Sequence, residues 1–97
     1  MAKPEITVEA MSFDEANKAH KVSKWGKWGC EASKFDWTYS GTEQAFILKG
    51  KVVVTPTGDW ASCKPVSLKA GDFCVFPDGM TCVWDVSEDL EKHYNFL

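Results

Sequence analysis

Residues 35–50 read FDWTYSGTEQAFILKG, and this stretch decides which fold class the chain is expected to adopt. Its first half is typical of a β-strand. Side chains alternate between the two faces of a strand, so Phe35, Trp37 and Tyr39 share one face. A Ser-Gly-Thr turn sequence follows, and a lone carboxylate, Glu43, begins a second strand. We expect one face of these strands to be aromatic and to carry a single acid.

A second stretch, residues 71–84, reads GDFCVFPDGMTCVW and alternates in the same way. It places Cys82 and Trp84 on one face. The remaining β-prone segments are short and are separated by turns that contain Gly or Pro, which is typical of a sandwich, jelly roll or barrel. The sequence therefore predicts an all-β barrel whose interior holds aromatic side chains, one acid and one thiol.

The turn sequences also predict where strands end. Lys-Gly-Lys at residues 49–51 separates EQAFILK from KVVVTPT, and TCVWDV is separated from EKHYNFL near the C-terminus. Each of these four segments is predicted to be a strand of its own.

The first residues predict a short strand followed by one helix. Ser12 with Glu15 three residues later is a capping-box signature, and Met11 and Ala16 can form a hydrophobic staple at the helix entry. With 97 residues the chain is long enough for one core. We expect a single domain over residues 1–97, with 1–27 as a strand and helix extension and 28–97 as the barrel.

Composition and charge exclude several classes of protein. The net charge is −3 with acids and bases interspersed, so a nucleic-acid partner is not expected. No apolar run approaches the roughly 20 residues of a membrane span, and residues 1–12 resemble neither a secretory signal nor a transit peptide. We expect a cytoplasmic protein without a membrane or nucleic-acid partner.

Four cysteines are widely spaced, at positions 30, 63, 74 and 82. Five Trp and six Phe already supply bulky core material, so disulfide bonds are not needed to stabilise the fold. Without a CxxC pair, a four-cysteine zinc site is not expected either. We predict four free thiols.

The two stretches resemble the paired motifs of the cupin superfamily. Glu43 and Gly50, separated by six residues, match the end of the first motif, and Gly71, Pro77 and Gly79 match the start of the second. The segment from about Trp25 to the C-terminus is similar to small single-domain cupins of the (S)-ureidoglycine aminohydrolase type, for instance in ILKGKVVVT and KHYNFL. The resemblance implies a jelly-roll (double-stranded β-helix) barrel, and it implies a homodimer because cupins commonly pair.

The positions that bind metal in this superfamily do not carry the usual ligands here. Two His, a Glu and a third His would correspond to Trp37, Tyr39, Glu43 and Cys82, so only the carboxylate remains. A site for Fe, Mn or Ni on nitrogen and oxygen ligands usually needs at least three donors, and Trp is not a ligand. We therefore expect no metal and no cofactor, and the metal-dependent aminohydrolase reaction is not carried over.

The same alternation leaves the role of the lumen open. Trp37, Tyr39 and Trp84 either fill the lumen, as in many small barrels, or form walls of a pocket for a small organic ligand. Glu43 is costly in an apolar lumen unless it is paired or hydrogen-bonded. It is either a structural acid bonded to Tyr39 or a general acid or base.

Two further residues are candidates for the lumen. Cys82 would act as a nucleophile only as a thiolate, which needs a neighbouring base or positive charge. His93 lies on the strand face opposite Tyr94 and Phe96, and the sequence does not decide which face is inside. If His93 points inward, it forms a cluster with Glu43 and Cys82, which would favour an enzyme or a metal site.

One apolar face points away from the lumen. Phe46 and Leu48 alternate with Glu43, Ala45 and Ile47, so they lie outside the barrel. Either the N-terminal segment or a second subunit covers such a patch, and the resemblance favours the subunit.

The predicted function is binding of a small polar or aromatic molecule in the lumen, without a His-ligated metal. The candidate ligand-binding residues are Trp37, Tyr39, Glu43, Cys82, Trp84 and His93. The alternatives are a small aminohydrolase-like or isomerase-like enzyme that uses Glu43, and a structural dimer with a filled lumen.

Overall fold

The computed structural model describes residues 3–97. In this part of the chain there is one α-helix, α1 (Phe13–His20), together with two short 3₁₀ turns and seven β-strands. The strands are β1 (Thr7–Ala10), β2 (Gly26–Cys30), β3 (Ser33–Thr38), β4 (Glu43–Pro56), β5 (Val66–Lys69), β6 (Asp72–Phe76) and β7 (Thr81–Phe96). The prediction of an all-β fold with one short helix is confirmed.

All strand pairs are antiparallel, and the main sheet has the order β1-β6-β4-β7-β2. β3 pairs with β7, and β5 pairs with β4. β4 and β7 therefore form the centre of the barrel, because each is hydrogen-bonded to three other strands. The N-terminal extension is part of the same sheet, since β1 pairs with β6. None of the helices described between residues 3 and 97 is long and apolar enough to cross a membrane.

The four strands predicted around residues 43–57 and 81–97 are two. β4 has 14 residues and β7 has 16, and they pair along most of their length. The prediction of a turn at residues 49–51 was wrong because Gly50 bends the strand without ending it. Its φ is +93°, the register between β4 and β7 shifts on both sides of it, and an added Cβ would overlap the carbonyl of Asp89. A bulge of this kind increases twist and curvature while the strand continues.

Helix α1 begins as the sequence indicates. The Ser12 hydroxyl accepts a hydrogen bond from the Glu15 backbone N at 3.1 Å, and the Glu15 carboxylate accepts one from the Ser12 backbone N at 3.2 Å. The helix ends at His20, and the following cap residue, Lys21, has a φ of 58° and donates its backbone N–H to the carbonyl of Asn17. These caps fix where α1 starts and stops, and therefore which part of the barrel it covers.

The outward face of Phe46 and Leu48 is covered by the N-terminal segment. Phe46 is 2% exposed and forms a second small core with Ala16, Val22 and Phe73. Leu48 packs against this cluster. A second subunit is therefore not needed to bury this face, and the alternative that the sequence left open, the N-terminal cover, is the one observed.

Candidate functional site

The lumen of the barrel has a filled inner part and an open outer part. In the inner part, Tyr39 stacks on Phe76 with ring centroids 4.8 Å apart, and Phe76 lies 5.7 Å from Trp84. The outer part is a pocket of about 210 Å³ that is open to solvent. Six aromatic side chains form its walls: Trp28, Phe35, Trp37, Trp84, Tyr94 and Phe96. The lumen is thus neither solid nor hollow throughout.

Three strands supply these walls, and their register explains why they meet. Phe35 and Trp84 lie opposite each other in the β3–β7 pair, and their rings are stacked 6.3 Å apart. Trp28 on β2 lies opposite Lys92 on β7. Cross-strand partners on one face have Cβ atoms about 4.5–5.5 Å apart, so their side chains are in contact range.

An ion pair between Glu43 and Lys92 forms the polar part of the pocket. Lys92 Nζ donates a hydrogen bond of 2.8 Å to Glu43 Oε2, and the side chains of Lys92 and Glu43 are only 9% and 4% exposed. The ammonium also lies over two indole rings, 4.6 Å from the centroid of Trp84 and 5.3 Å from that of Trp28. The aromatic faces attract the cation through their quadrupoles. The pocket therefore contains a positive charge that is enclosed by two indole rings and paired with its carboxylate counterion.

Lys92 was not among the residues predicted from the sequence. It lies inside because β7 is one strand that resumes its alternation at Leu90 after the exposed residues 87–89, so Lys92 is on the same face as Trp84 and Tyr94. Trp28, Phe35, Tyr94 and Phe96 were also missing from the predicted site. If β7 is treated as one continuous strand, the alternation of its side chains places three of these five residues, Lys92, Tyr94 and Phe96, on the same face as Trp84.

The six predicted candidates lie at three different depths. Trp37, Glu43 and Trp84 line the pocket. Tyr39 and Cys82 lie in the packed core, with 2% and 1% of their surface exposed. The structure therefore brings three of the candidates together and leaves two beneath the packed aromatic layer.

His93 lies outside the lumen. Its Nδ1 is 3.3 Å from the carbonyl oxygen of Gly26, and its ring centroid is 6.3 Å from that of Phe13, on the side covered by α1. The inward-pointing His93 that would have formed a cluster with Glu43 and Cys82 is not observed, because its neighbours Lys92 and Tyr94 occupy the inward positions of β7.

Burial keeps the two inner polar side chains protonated. Loss of hydration, reinforced by the Glu43 carboxylate, raises the pKa of Tyr39 far above its usual value. Burial also raises the pKa of Cys82 to about 11, and the Trp84 indole opposes that rise. The Cys82 thiol donates to the Trp37 carbonyl at 3.7 Å. Neither side chain is therefore an anionic nucleophile or ligand near neutral pH.

Among the described residues 3–97, two buried side-chain polar atoms have no hydrogen-bond partner, Tyr39 Oη and Trp84 Nε1. The Trp84 indole opposes in part the rise that burial causes in the pKa values of Tyr39 and Cys82. Unpaired buried groups of this kind cost about 1–3 kcal/mol each.

The residues present do not fit the metal of the cupin superfamily. Among residues 3–97 there is no group of three His, Cys, Asp or Glu side chains placed to hold an ion. Of the four corresponding positions, Trp37 offers no donor, and Tyr39 and Cys82 are held protonated. The remaining donor, Glu43, is hydrogen-bonded to the Lys92 ammonium, which would repel a divalent cation.

The thiols lead to a prediction for alkaline conditions. All four cysteines are free, three are buried, and burial raises the pKa of Cys74 to about 12 and that of Cys82 to about 11. In the unfolded chain these thiols lose their protons at about pH 8.5. The unfolded state thus binds fewer protons above that pH, and the free energy of unfolding should fall as pH rises from about 9 towards 11.

Urea unfolding at pH 7, 9 and 10 measures this fall. The Cys82→Val variant should show a shallower decline than the parent protein, because it lacks one of the two groups.

Thiol titration at neutral pH should find four reactive groups after denaturation under non-reducing conditions. Two groups or none would mean that disulfide bonds are present, contrary to this prediction.

Comparison with known proteins gave one family and several related structures. A model of the EutQ-like cupin domain matches residues 17–94. The crystal structure of a DUF861 family protein from Thermotoga maritima is 36% identical, with a TM-score of 0.84, and the alignment covers 96% of this chain and 100% of that one. No curated protein matched.

Two EutQ proteins share the fold at lower identity. The EutQ protein of Clostridium difficile is 18% identical with a TM-score of 0.60, and the alignment covers 92% of this chain and 64% of that one. A putative ethanolamine utilization protein Q from Salmonella typhimurium is 17% identical with a TM-score of 0.60, with 92% and 66% covered. This chain therefore spans about two thirds of their length, and the likeness concerns the fold alone.

Proposed function

This chain belongs to the EutQ-like cupin domain family, and we propose that it uses the outer half of its barrel to bind a small planar organic molecule, without a His-ligated metal. The observation that carries this proposal is the open pocket with aromatic walls and one buried ion pair. Small-molecule sites typically combine apolar walls with a few polar groups that orient the ligand.

The ion pair defines which ligands are complementary. A lysine ammonium has three N–H donors; within the described part of the chain, residues 3–97, Lys92 uses one of them, in the hydrogen bond to Glu43 Oε2. No group among residues 3–97 donates a hydrogen bond to the second oxygen of Glu43. The pocket therefore offers a donor beside an acceptor. A ligand that presents an acceptor beside an N–H or O–H donor satisfies both.

Shape and size narrow the class further. The pocket volume of about 210 Å³ lies below the roughly 300–1,000 Å³ of typical small-molecule sites, so a small ligand fits it best. Indole and phenyl walls favour flat groups that stack on them. The amide unit of a primary amide, a urea or a lactam is planar and carries a carbonyl beside an N–H. These are the chemical classes that we propose.

The resemblance to (S)-ureidoglycine aminohydrolase-type cupins implies a narrower proposal, in which the ligand carries a ureido group. Binding would not entail hydrolysis, because the donor set does not fit the metal on which that reaction depends. The rival enzyme that uses Glu43 has no catalytic partner among the other predicted candidates Tyr39 and His93, since Tyr39 is buried beneath the pocket and His93 is outside it.

Binding can be tested with benzamide as the probe. We expect benzamide to perturb the NMR signals of Trp37, Trp84 and Lys92 and to bind more tightly than N,N-dimethylbenzamide, which lacks the N–H. Trp37 is 48% exposed, so Trp37→Ala removes a wall with little effect on the fold. It should weaken binding roughly 2- to 12-fold, the equivalent of an aromatic pair worth ~0.5–1.5 kcal/mol.

Val8→Ala is the matched control, because Val8 is 41% exposed but lies on β1, away from the pocket. It should leave the affinity for benzamide unchanged. If millimolar benzamide shifts no pocket signal, or if both variants weaken binding equally, the proposed binding site is incorrect.

A further inference from the structure

Lys92 differs from every other lysine of the chain. The chain has eleven lysines and no arginine. Ten of the lysines are exposed, whereas Lys92 is 7% exposed and lies in the wall of an open pocket. Its Nζ is 2.8 Å from a carboxylate and lies over two indole rings. A primary amine beside a proton acceptor in an aromatic pocket has the composition of a site for carbonyl condensation.

We propose that Lys92 condenses with small aldehydes or ketones that enter this pocket, forming a protonated Schiff base. The inference rests on the proposed function in one respect, namely that a small carbonyl compound can enter the pocket. It goes further, because it assigns a covalent reaction to a named nitrogen atom, with Glu43 as the group that moves the protons.

The reaction is balanced without any further reactant. The Glu43 carboxylate takes one proton from the Lys92 ammonium, and the freed lone pair of Nζ forms a bond to the carbonyl carbon. The carbonyl π electrons move to the oxygen, which receives that proton from Glu43. A second proton passes from nitrogen to the hydroxyl group through Glu43, the C–O bond breaks, and water leaves. Ammonium and carbonyl compound thus become iminium and water, and Glu43 is again a carboxylate.

The surroundings of Nζ stabilise the product as well as the reactant. The iminium carries the same positive charge at the same atom, so both the Glu43 carboxylate and the indole faces of Trp84 and Trp28 still act on it. An ammonium is strongly hydrated, and its burial forfeits that hydration. An iminium with an organic substituent is less strongly hydrated, so its burial loses less hydration free energy. Its substituent also buries apolar surface against the aromatic walls. The pocket therefore favours the condensed form relative to an exposed lysine.

Reductive trapping tests the proposal on the unmodified protein. The chain is incubated with limiting benzaldehyde and cyanoborohydride, and benzylated lysines are quantified by peptide mapping. Lys27 is the internal reference, because it also forms an ion pair, 3.0 Å from Glu91, but is 58% exposed. We expect benzylation of Lys92 to be at least tenfold faster than that of Lys27. Lys92→Arg should abolish this fast phase, and Glu43→Gln should slow it.

The outcomes distinguish this inference from the proposed function. Equal labelling of Lys92 and Lys27, or none at Lys92, overturns the condensation. If benzamide still shifts the pocket signals in that case, the binding site stands and only the covalent step fails. Fast labelling of Lys92 without benzamide binding supports the condensation and contradicts recognition of amides. Because Lys92 and Lys27 are compared in one sample of the wild-type chain, the result does not depend on whether a variant folds.

Discussion

Replacing Phe46 by glutamate should unfold most of the chain. Phe46 is 2% exposed and joins β4 to the N-terminal segment, with its ring centroid 6.1 Å from that of Phe13. Truncating a buried Phe to Ala typically costs about 3–5 kcal/mol. Glutamate adds an unpaired buried charge, which costs several kcal/mol more. The sum is comparable to the total stability of an ordinary domain, about 5–15 kcal/mol.

Urea unfolding monitored by tryptophan fluorescence measures the effect. Val53→Glu is the matched control, because Val53 lies on the same strand but is 42% exposed. Because Val53 lies opposite Asp85 on β7, the control substitution should lower the free energy of unfolding by about 0.2–1 kcal/mol, far less than Phe46→Glu. A folded Phe46→Glu variant that changes from dimer to monomer in sedimentation would contradict the structure, since Phe46 would then have to lie in a subunit interface.

The fold could be predicted from the sequence because its signals are local. The capping box of Ser12 and Glu15 marks the start of α1, and period-2 alternation marks the strands on either side of the lumen. The spacing of Glu43, Gly50 and Gly71 indicated a cupin, and the match to the EutQ-like cupin domain confirms that prediction. The narrower ureidoglycine aminohydrolase type is not confirmed by these comparisons.

The candidate site was predicted only in part, because its composition depends on strand length. If TCVWDV and EKHYNFL are treated as separate strands, the alternation of faces cannot be continued from Trp84 to Lys92. The sequence then does not determine which face of the second segment points inward. One continuous β7 puts Lys92 inside and His93 outside. Whether a Gly-containing segment turns or only bends is decided by tertiary pairing across the barrel, as at Gly50, and the local sequence does not contain that information.

The sequence also does not predict how deep each side chain lies inside the lumen. Alternation puts Trp37, Tyr39 and Cys82 on one strand face, but it does not distinguish side chains in a packed layer from side chains at the open end of the barrel. Tyr39 is sealed by stacking on Phe76, whereas Trp37 lies near the end of β3 and remains about half exposed. The distinction arises from how side chains of several strands fill the same volume.

The Glu43–Lys92 ion pair should have a large effect on stability when only one partner is removed. Lys92→Met keeps the length of the side chain but leaves the Glu43 carboxylate buried without its counterion, and Glu43→Met leaves the ammonium unpaired. Breaking a buried pair in this way typically costs about 3–5 kcal/mol, because the remaining charge has lost its hydration and has no partner. We expect each single variant to lose stability in this range.

The double variant Glu43→Met/Lys92→Met should recover most of that loss. It contains no buried charge, and methionine fills irregular apolar space and packs well against aromatic rings. Replacing both members of a buried pair by apolar residues is often neutral or stabilising. The four unfolding free energies form a double-mutant cycle, and the departure from additivity measures the interaction between the two side chains.

The exposed pair of Lys27 and Glu91 provides the control for this cycle. Its side chains are 58% and 41% exposed, so water and salt screen the interaction. The single variants Lys27→Met and Glu91→Met should therefore leave stability nearly unchanged, and their effects should be additive. If the Glu43 and Lys92 variants were additive as well, the two charges would not be coupled in the folded state. The Glu43–Lys92 ion pair would then not form the polar part of the pocket, and the proposed recognition of a donor–acceptor ligand would be refuted.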